Sequence, residues 1–141
     1  KGRQPIYVDI DVGQGTVSIP GIVAAASIDH PIDIEEGLTS TAPLAFFFGH
    51  TSLNDSADLY RRQLQQLGSH INARLDAIPE ARASGVIINS CGWIDGVGYE
   101  LLLSAIEALQ ANVVLVLDQE RLYNDLAQTL KGVKVRRCII E

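Results

Sequence analysis

The chain has 141 residues, 47% of them hydrophobic and 20% charged, enough apolar material to fill one α/β core and to exclude a disordered chain. Its formal net charge of −6 excludes a global electrostatic attraction to nucleic acid, so a polyanion contact has to be local; Lys131, Lys134, Arg136 and Arg137 form a basic island near the end. No apolar run approaches a membrane span and no signal-peptide pattern opens the chain, and Cys91 and Cys138 lie far apart without metal spacing, so the expectation is an intracellular chain with two reduced, small core cysteines. The first predicted element is a strand in Ile6-Tyr7-Val8-Asp9-Ile10-Asp11-Val12, rich in β-branched residues and broken at Gly13 and Gly15. Asp11 then lies at the carboxyl end of a strand. In open α/β sheets that end faces the ligand crevice, where a carboxylate holds Mg²⁺, accepts a proton, or merely caps the next turn.

Pro20-Gly21 predicts a turn, and Ile22 to Ile28 reads as a strand whose alanines suit a helix equally well. Asp29 to Thr41, with Pro31, Glu35, Glu36 and Gly37, reads as a surface excursion. Pro43 to Phe48 is a second apolar run, and the polar stretch His50 to Ser56 after it sits again at a strand's carboxyl end. Leu64, Leu67, Ile71 and Leu75 recur at helical spacing and predict a long helix from Ala57 to Ile78, capped by Asp55 or Ser56 and ended by Pro79. His70 on it is a boundary residue, and Arg61 and Arg62 belong to its solvated face. Gly85 to Asn89 is a third strand, leading into a glycine-rich loop that holds the only tryptophan, Trp93. A lone Trp is usually core, but a loop with little apolar cover suits an indole presented as a stacking platform for a base. Tyr99 to Gln110 reads as a helix, Val113 to Leu117 as the strongest strand, Glu120 to Leu130 as a helix, and Val135 to Ile140 as a last strand. Strands alternating with helices predict a parallel sheet with right-handed crossovers.

No G-x-x-x-x-G-K-[ST] phosphate loop occurs in the sequence, and no G-x-G-x-x-G, which argues against dinucleotide binding. The sequence contains no methionine, begins directly before a strand and ends in an apolar segment, so a longer parent is expected, with a phosphate-loop strand before Lys1.

Tyr7 to Gly15 followed by Val17-Ser18-Ile19-Pro20-Gly21, then Ala42-Pro43-Leu44, Phe48-Gly49, Asn89-Ser90-Cys91-Gly92-Trp93, Gly96-Val97-Gly98-Tyr99 and Leu117 to Asn124, closely resemble the eukaryotic polynucleotide 5′-hydroxyl-kinase family of the mRNA 3′-end cleavage and polyadenylation machinery. The resemblance runs over nearly the whole chain, with several motifs in order. It implies an α/β, parallel-sheet P-loop kinase-like domain of which residues 1–141 are an incomplete part, running from the Walker B strand to a late strand. The phosphate loop and an arginine-bearing lid fall outside it. It further implies transfer of the ATP γ-phosphate to an RNA 5′-hydroxyl with Mg²⁺, a role in pre-mRNA 3′-end formation and tRNA processing, a nuclear location, and the RNA 5′ end and other cleavage-complex subunits as partners. By the same resemblance Asp11 is the catalytic carboxylate that holds Mg²⁺ through water, and Gln14 and Thr51 match positions that contact the RNA end. Trp93 matches the residue that stacks on the terminal nucleotide, with His50 adjacent. The family usually has Thr-Thr-Pro after the glycine at Gly49, where this chain has His50-Thr51-Ser52. The alternative within the family is a catalytically silent, ATP-bound scaffold; outside it, a generic α/β nucleotidase. By itself the 141-residue piece is expected to be inactive.

Overall fold

The computed structural model describes residues 3–35, 37–38 and 43–139. The end of the predicted excursion, Ala42 of the family motif and the last residue of the predicted final strand lie outside them. Two compact units are present, residues 1–109 and residues 110–141.

The first unit is a four-stranded sheet backed by helices. Its strands β1 (Ile6–Asp9), β2 (Ile22–Ser27), β3 (Leu44–Phe47) and β4 (Val86–Asn89) lie in the order β3-β2-β1-β4. β1 and β4 are parallel, with Ile6 opposite Val86 and Asp9 opposite Asn89. β1 and β2 are antiparallel, as are β2 and β3, so the sheet is mixed where strand–helix alternation predicts a parallel one. The reason is local: the links from β1 to β2 and from β2 to β3 carry no helix, and an antiparallel partner needs no crossover. The ambiguous alanines settle as strand, with Ala24, Ala25 and Ala26 all buried between neighbouring strands.

Helix α1 (Ala57–Ala77) begins where the periodicity places it. Leu64 and Leu67 are fully buried and Ile71 nearly so, packed with Ile6, Val8, Ile10, Val23 and Ala25 from one sheet face. Burying each of these leucines contributes about 1.5–3 kcal/mol. Pro79 does end α1, but it also opens a second helix, α2 (Pro79–Ser84), because the first helical position needs no N–H and favours the fixed φ of proline. Helix α3 (Val97–Ala108) crosses α1 at Gly68, where a methyl group would collide with the Ala108 carbonyl oxygen. Arg61, expected on a solvated face, bonds Asp58 at 3.2 Å and reaches Glu100 of α3 at 3.7 Å.

The second unit is a parallel pair, β5 (Val113–Leu117) and β6 (Lys134–Cys138), joined by α4 (Glu120–Thr129). Among the described residues, Leu126 of α4 and Val116 of β5 are the buried ones in this unit. Cys138 is exposed, which corrects the core reading; strand alternation turns it away from the face that α4 covers. Cys91 is half-buried against the first unit's core, as expected. Arg137 of the basic island pairs with Glu120 at 3.2 Å. No helix among the described residues is long and apolar enough to cross a membrane.

Candidate functional site

Because β3 runs in the same direction as β1 and β4, three loops leave the sheet at one end: residues 10–21, 48–56 and 90–96. The backbones of the first two are tied together. The Gly21 N–H donates to the Val12 carbonyl at 2.8 Å, and the N–H groups of Phe48 and Gly49 donate to the Gly21 carbonyl at 2.9 and 3.0 Å. Gly21 has φ +85°, a conformation that disfavours side-chain-bearing residues, so the predicted Pro20-Gly21 turn is one that depends on its glycine.

Asp11 stands half-buried in the first loop. Its Oδ1 accepts the N–H groups of Gly13 at 2.9 Å and Gln14 at 3.2 Å, an Asx-type turn that fixes the carboxylate on its own backbone. Its Oδ2 accepts no hydrogen bond among the described residues, so the half of the carboxylate not used by the turn is available to a ligand. Gly13 lets the loops approach: a Cβ there would lie 3.3 Å from both Asp11 Oδ1 and the Thr51 carbonyl oxygen. The structure thus brings Asp11, Gln14 and Thr51 together, with Gln14 and Thr51 exposed. His50 is exposed beside them, its ring edge-on to Phe48 at 5.5 Å and its Nδ1 3.7 Å from Asp55 Oδ2.

Below this surface Tyr60 of α1 is buried, its hydroxyl donating to the Ile10 carbonyl at 2.9 Å and its ring edge-on to Phe48 at 5.8 Å. Burial pushes the phenol well above the ordinary tyrosine range, with the charges of Cys91, Asp11 and Asp9 adding in that order, so Tyr60 stays a neutral donor. Burial likewise raises the Cys91 thiol, opposed by a hydrogen bond from the Trp93 backbone N–H and assisted by Asp11. Cys91 is therefore an inert thiol near the acidic loop, not a nucleophile.

Trp93 divides the two readings open to it. It is 37% exposed, so it is neither core nor free. One side lies on Gly98 in the first turn of α3, where a Cβ would stand 2.6 Å from the indole Cγ and 2.5 Å from the Trp93 carbonyl oxygen. With Ile10, Leu53, Tyr60 and Cys91 it lines a small cleft. A ring supported on one side and solvent-facing on the other has the form of a stacking platform.

Sequence reasoning missed Asp9, Thr16 and Asn89. Asp9 is 2% exposed and accepts four hydrogen bonds: from the Thr16 N–H at 2.5 Å, the Thr16 hydroxyl at 2.6 Å, the Asp11 N–H at 3.2 Å and the Asn89 amide at 3.2 Å. The signal was present, since a carboxylate within an apolar strand has to be fully bonded if the strand is buried on both faces.

No cluster of three or more His, Cys, Asp or Glu able to cage a metal occurs among the described residues. A lone carboxylate with one oxygen to spare fits Mg²⁺, which retains several waters and takes only one or two protein carboxylates beside substrate phosphates. It does not fit a metal held by protein alone.

Residues 1–139 match the family described as the mRNA cleavage and polyadenylation factor CLP1 P-loop. The chain is 49% identical over 126 residues to the protein CLP1 homolog of Dictyostelium discoideum, covering 89% of this chain and 28% of that protein. It is 47% identical over 130 residues to the polyribonucleotide 5′-hydroxyl-kinase Clp1 of Xenopus tropicalis, covering 92% and 30%. Among solved structures, one describing the extended interface between Pcf11p and Clp1p, and the basis of ATP loss in a point mutant, superposes with a TM-score of 0.79 at 28% identity, covering 99% of this chain and 38% of the other. The chain therefore spans about three-tenths of the curated relatives it matches, and it belongs to the mRNA cleavage and polyadenylation factor CLP1 P-loop family.

Proposed function

We propose that the chain forms part of the P-loop kinase domain of an ATP-dependent polynucleotide 5′-hydroxyl kinase acting on RNA in pre-mRNA 3′-end formation, in the nucleus. Flanking sequence of the parent would supply the phosphate loop and the arginine lid. The observation that carries this reading is the Asp11 carboxylate, locked by two backbone N–H groups through one oxygen and open through the other where three loops meet. When bound, Mg²⁺ neutralises charge on the transferring phosphate. Asp11 would hold that ion through water with the oxygen its turn leaves unused, and would accept the proton of the 5′-hydroxyl. Gln14, Thr51 and His50 line the approach to Asp11 and orient the RNA end. Trp93 stacks on the terminal base, which fixes the hydroxyl relative to Asp11 and so supplies the orientation on which phosphoryl transfer mainly depends.

A second reading has a specific observation behind it: the solved neighbour is Clp1p in an interface with Pcf11p, so the parent acts as an ATP-bound scaffold for other cleavage-complex subunits. Both are tested by ATP-dependent 5′-phosphorylation of a short RNA by the full-length parent, with Asp11→Asn and Trp93→Ala as variants. Transfer abolished in the first and RNA affinity lowered in the second supports the kinase. ATP retained without transfer supports the scaffold.

A further inference from the structure

Asp9 is the most fully bonded carboxylate at this end of the sheet, and the proposed chemistry asks nothing of it. A carboxylate offers about four lone-pair sites. Asp9 has all four filled, by the Asp11 N–H, the Asn89 side-chain amide, the Thr16 N–H and the Thr16 hydroxyl. It therefore has no capacity left for a metal or a substrate proton, in contrast to Asp11 two residues on. Its partners lie on three separate pieces of the site: the turn that carries Asp11, the return of the glycine loop at Thr16, and the end of β4 from which Ser90, Cys91, Gly92 and Trp93 follow.

The strand alternation explains how this comes about. Ile6, Val8 and Ile10 face α1, which puts Asp9 with Tyr7 on the opposite face. There the loop folds back, and the Thr16 hydroxyl bonds both Asp9 and the Tyr7 hydroxyl, the latter at 3.1 Å. Burying a carboxylate for stability alone is a poor exchange, since an apolar side chain does as well without the desolvation cost.

We propose that Asp9 is a positioning residue that locks the Asp11 turn to the β4 exit, holding the proposed catalytic carboxylate and the Trp93 platform in one fixed relation. The inference rests on the kinase reading above and extends it to a residue that touches neither nucleotide nor RNA. Replacing the carboxylate by an amide leaves one accepting oxygen and sets an NH₂ against either the Asp11 N–H, which shares one carboxylate oxygen with the Asn89 amide, or the Thr16 N–H, which shares the other with the Thr16 hydroxyl, and neither backbone N–H can accept. Reversing the pair, Asp9→Asn with Asn89→Asp, gives the new amide an acceptor on β4 while its oxygen serves Thr16, and leaves only the Asp11 N–H without its acceptor at residue 9.

The test uses the full-length parent with Asp9→Asn, the double variant, and Thr16→Val, which removes one of the four bonds without touching the buried carboxylate. Two quantities are read: steady-state phosphorylation of a short RNA, and the ¹⁹F resonance of Trp93 after fluorotryptophan labelling, assigned by its loss in Trp93→Phe. The expected result for Asp9→Asn is a kcat lower by about 10- to 100-fold with KM for ATP within about twofold, and a displaced Trp93 resonance. Thr16→Val changes both in the same direction by less. The double variant, which re-forms the β1–β4 contact but not the Asp11 N–H bond, recovers part of both, with kcat above that of Asp9→Asn and the resonance nearer its original position. A double variant that regains the thermal midpoint but neither kcat nor the resonance overturns the proposal, as does an Asp9→Asn enzyme with unchanged kcat. Should the parent transfer no phosphate, the kinase reading falls alone. The Trp93 resonance then decides: displaced and recovered it supports the coupling, unmoved by Asp9→Asn it refutes it.

Discussion

Gly98→Ala tests how tightly the Trp93 loop is seated. A methyl group there meets the Trp93 carbonyl oxygen at 2.5 Å and the indole Cγ and Cδ2 at 2.6 and 2.7 Å, which is 0.7–0.9 Å short of the 3.4 Å at which ordinary contact begins. Two of those atoms belong to the ring and one to the backbone, so no flexible tip can yield; the loop has to move. Forcing a methylene-sized group into a packed site costs about 1–3 kcal/mol. Alanine returns up to about 1 kcal/mol over glycine within a helix, and less in the first turn where Gly98 stands. The expected net effect is a destabilisation of about 1–2 kcal/mol in urea unfolding of the full-length protein, with at least a threefold weaker RNA affinity by fluorescence anisotropy. A variant as stable as the wild type and equally tight on RNA would refute the claim that the indole rests on Gly98.

Two other outcomes follow from the same geometry. Tyr60→Phe removes the hydroxyl that donates to the Ile10 carbonyl and leaves that buried acceptor short of a partner, so unfolding in urea is expected to show a loss of about 1–2 kcal/mol with an unchanged m-value. Asp29 is held below the ordinary aspartate value first of all by its hydrogen bond to His30, so the pair contributes above the unfolded-state value and its contribution is lost as pH falls through the lower folded value. As Asp29 is fully exposed, the readout is its carboxyl NMR titration. His30→Ala is expected to raise the midpoint toward that of a free aspartate, and an unmoved midpoint would dismiss the contact.

What the sequence conveyed, and what it withheld, can be traced to the range of the interactions involved. α1 follows from helical side-chain periodicity and β5 from an unbroken, valine-rich apolar run, both local signals, and the structure places them at Ala57–Ala77 and Val113–Leu117. The position of Asp11 at a strand end was legible because the glycines that break the strand lie beside it. The antiparallel setting of β2 and β3 was not, since strand direction depends on which partner each strand finds and not on its own pattern. Trp93 was undecided for a similar reason: its support is Gly98, and a glycine in the sequence does not announce that it is vacant space for a ring. The role of Asp9 is not legible locally, because its bonding to Asn89 joins residues 80 positions apart.

That separation has a consequence for how the molecule comes into being. β1 and β2 form a hairpin, which closes in about 1–10 μs once both strands exist. The other edge of β1 belongs to β4, some 80 residues later in the chain. At ribosomal rates of about 5–20 residues per second the acidic tip waits roughly 4–16 s for the strand that completes it. Through that interval β1 presents an unpaired parallel edge and Asp9 lacks one of its four donors. The nascent chain is thus open to mispairing at the edge of β1 during synthesis, beside a carboxylate that is fully bonded in the finished fold.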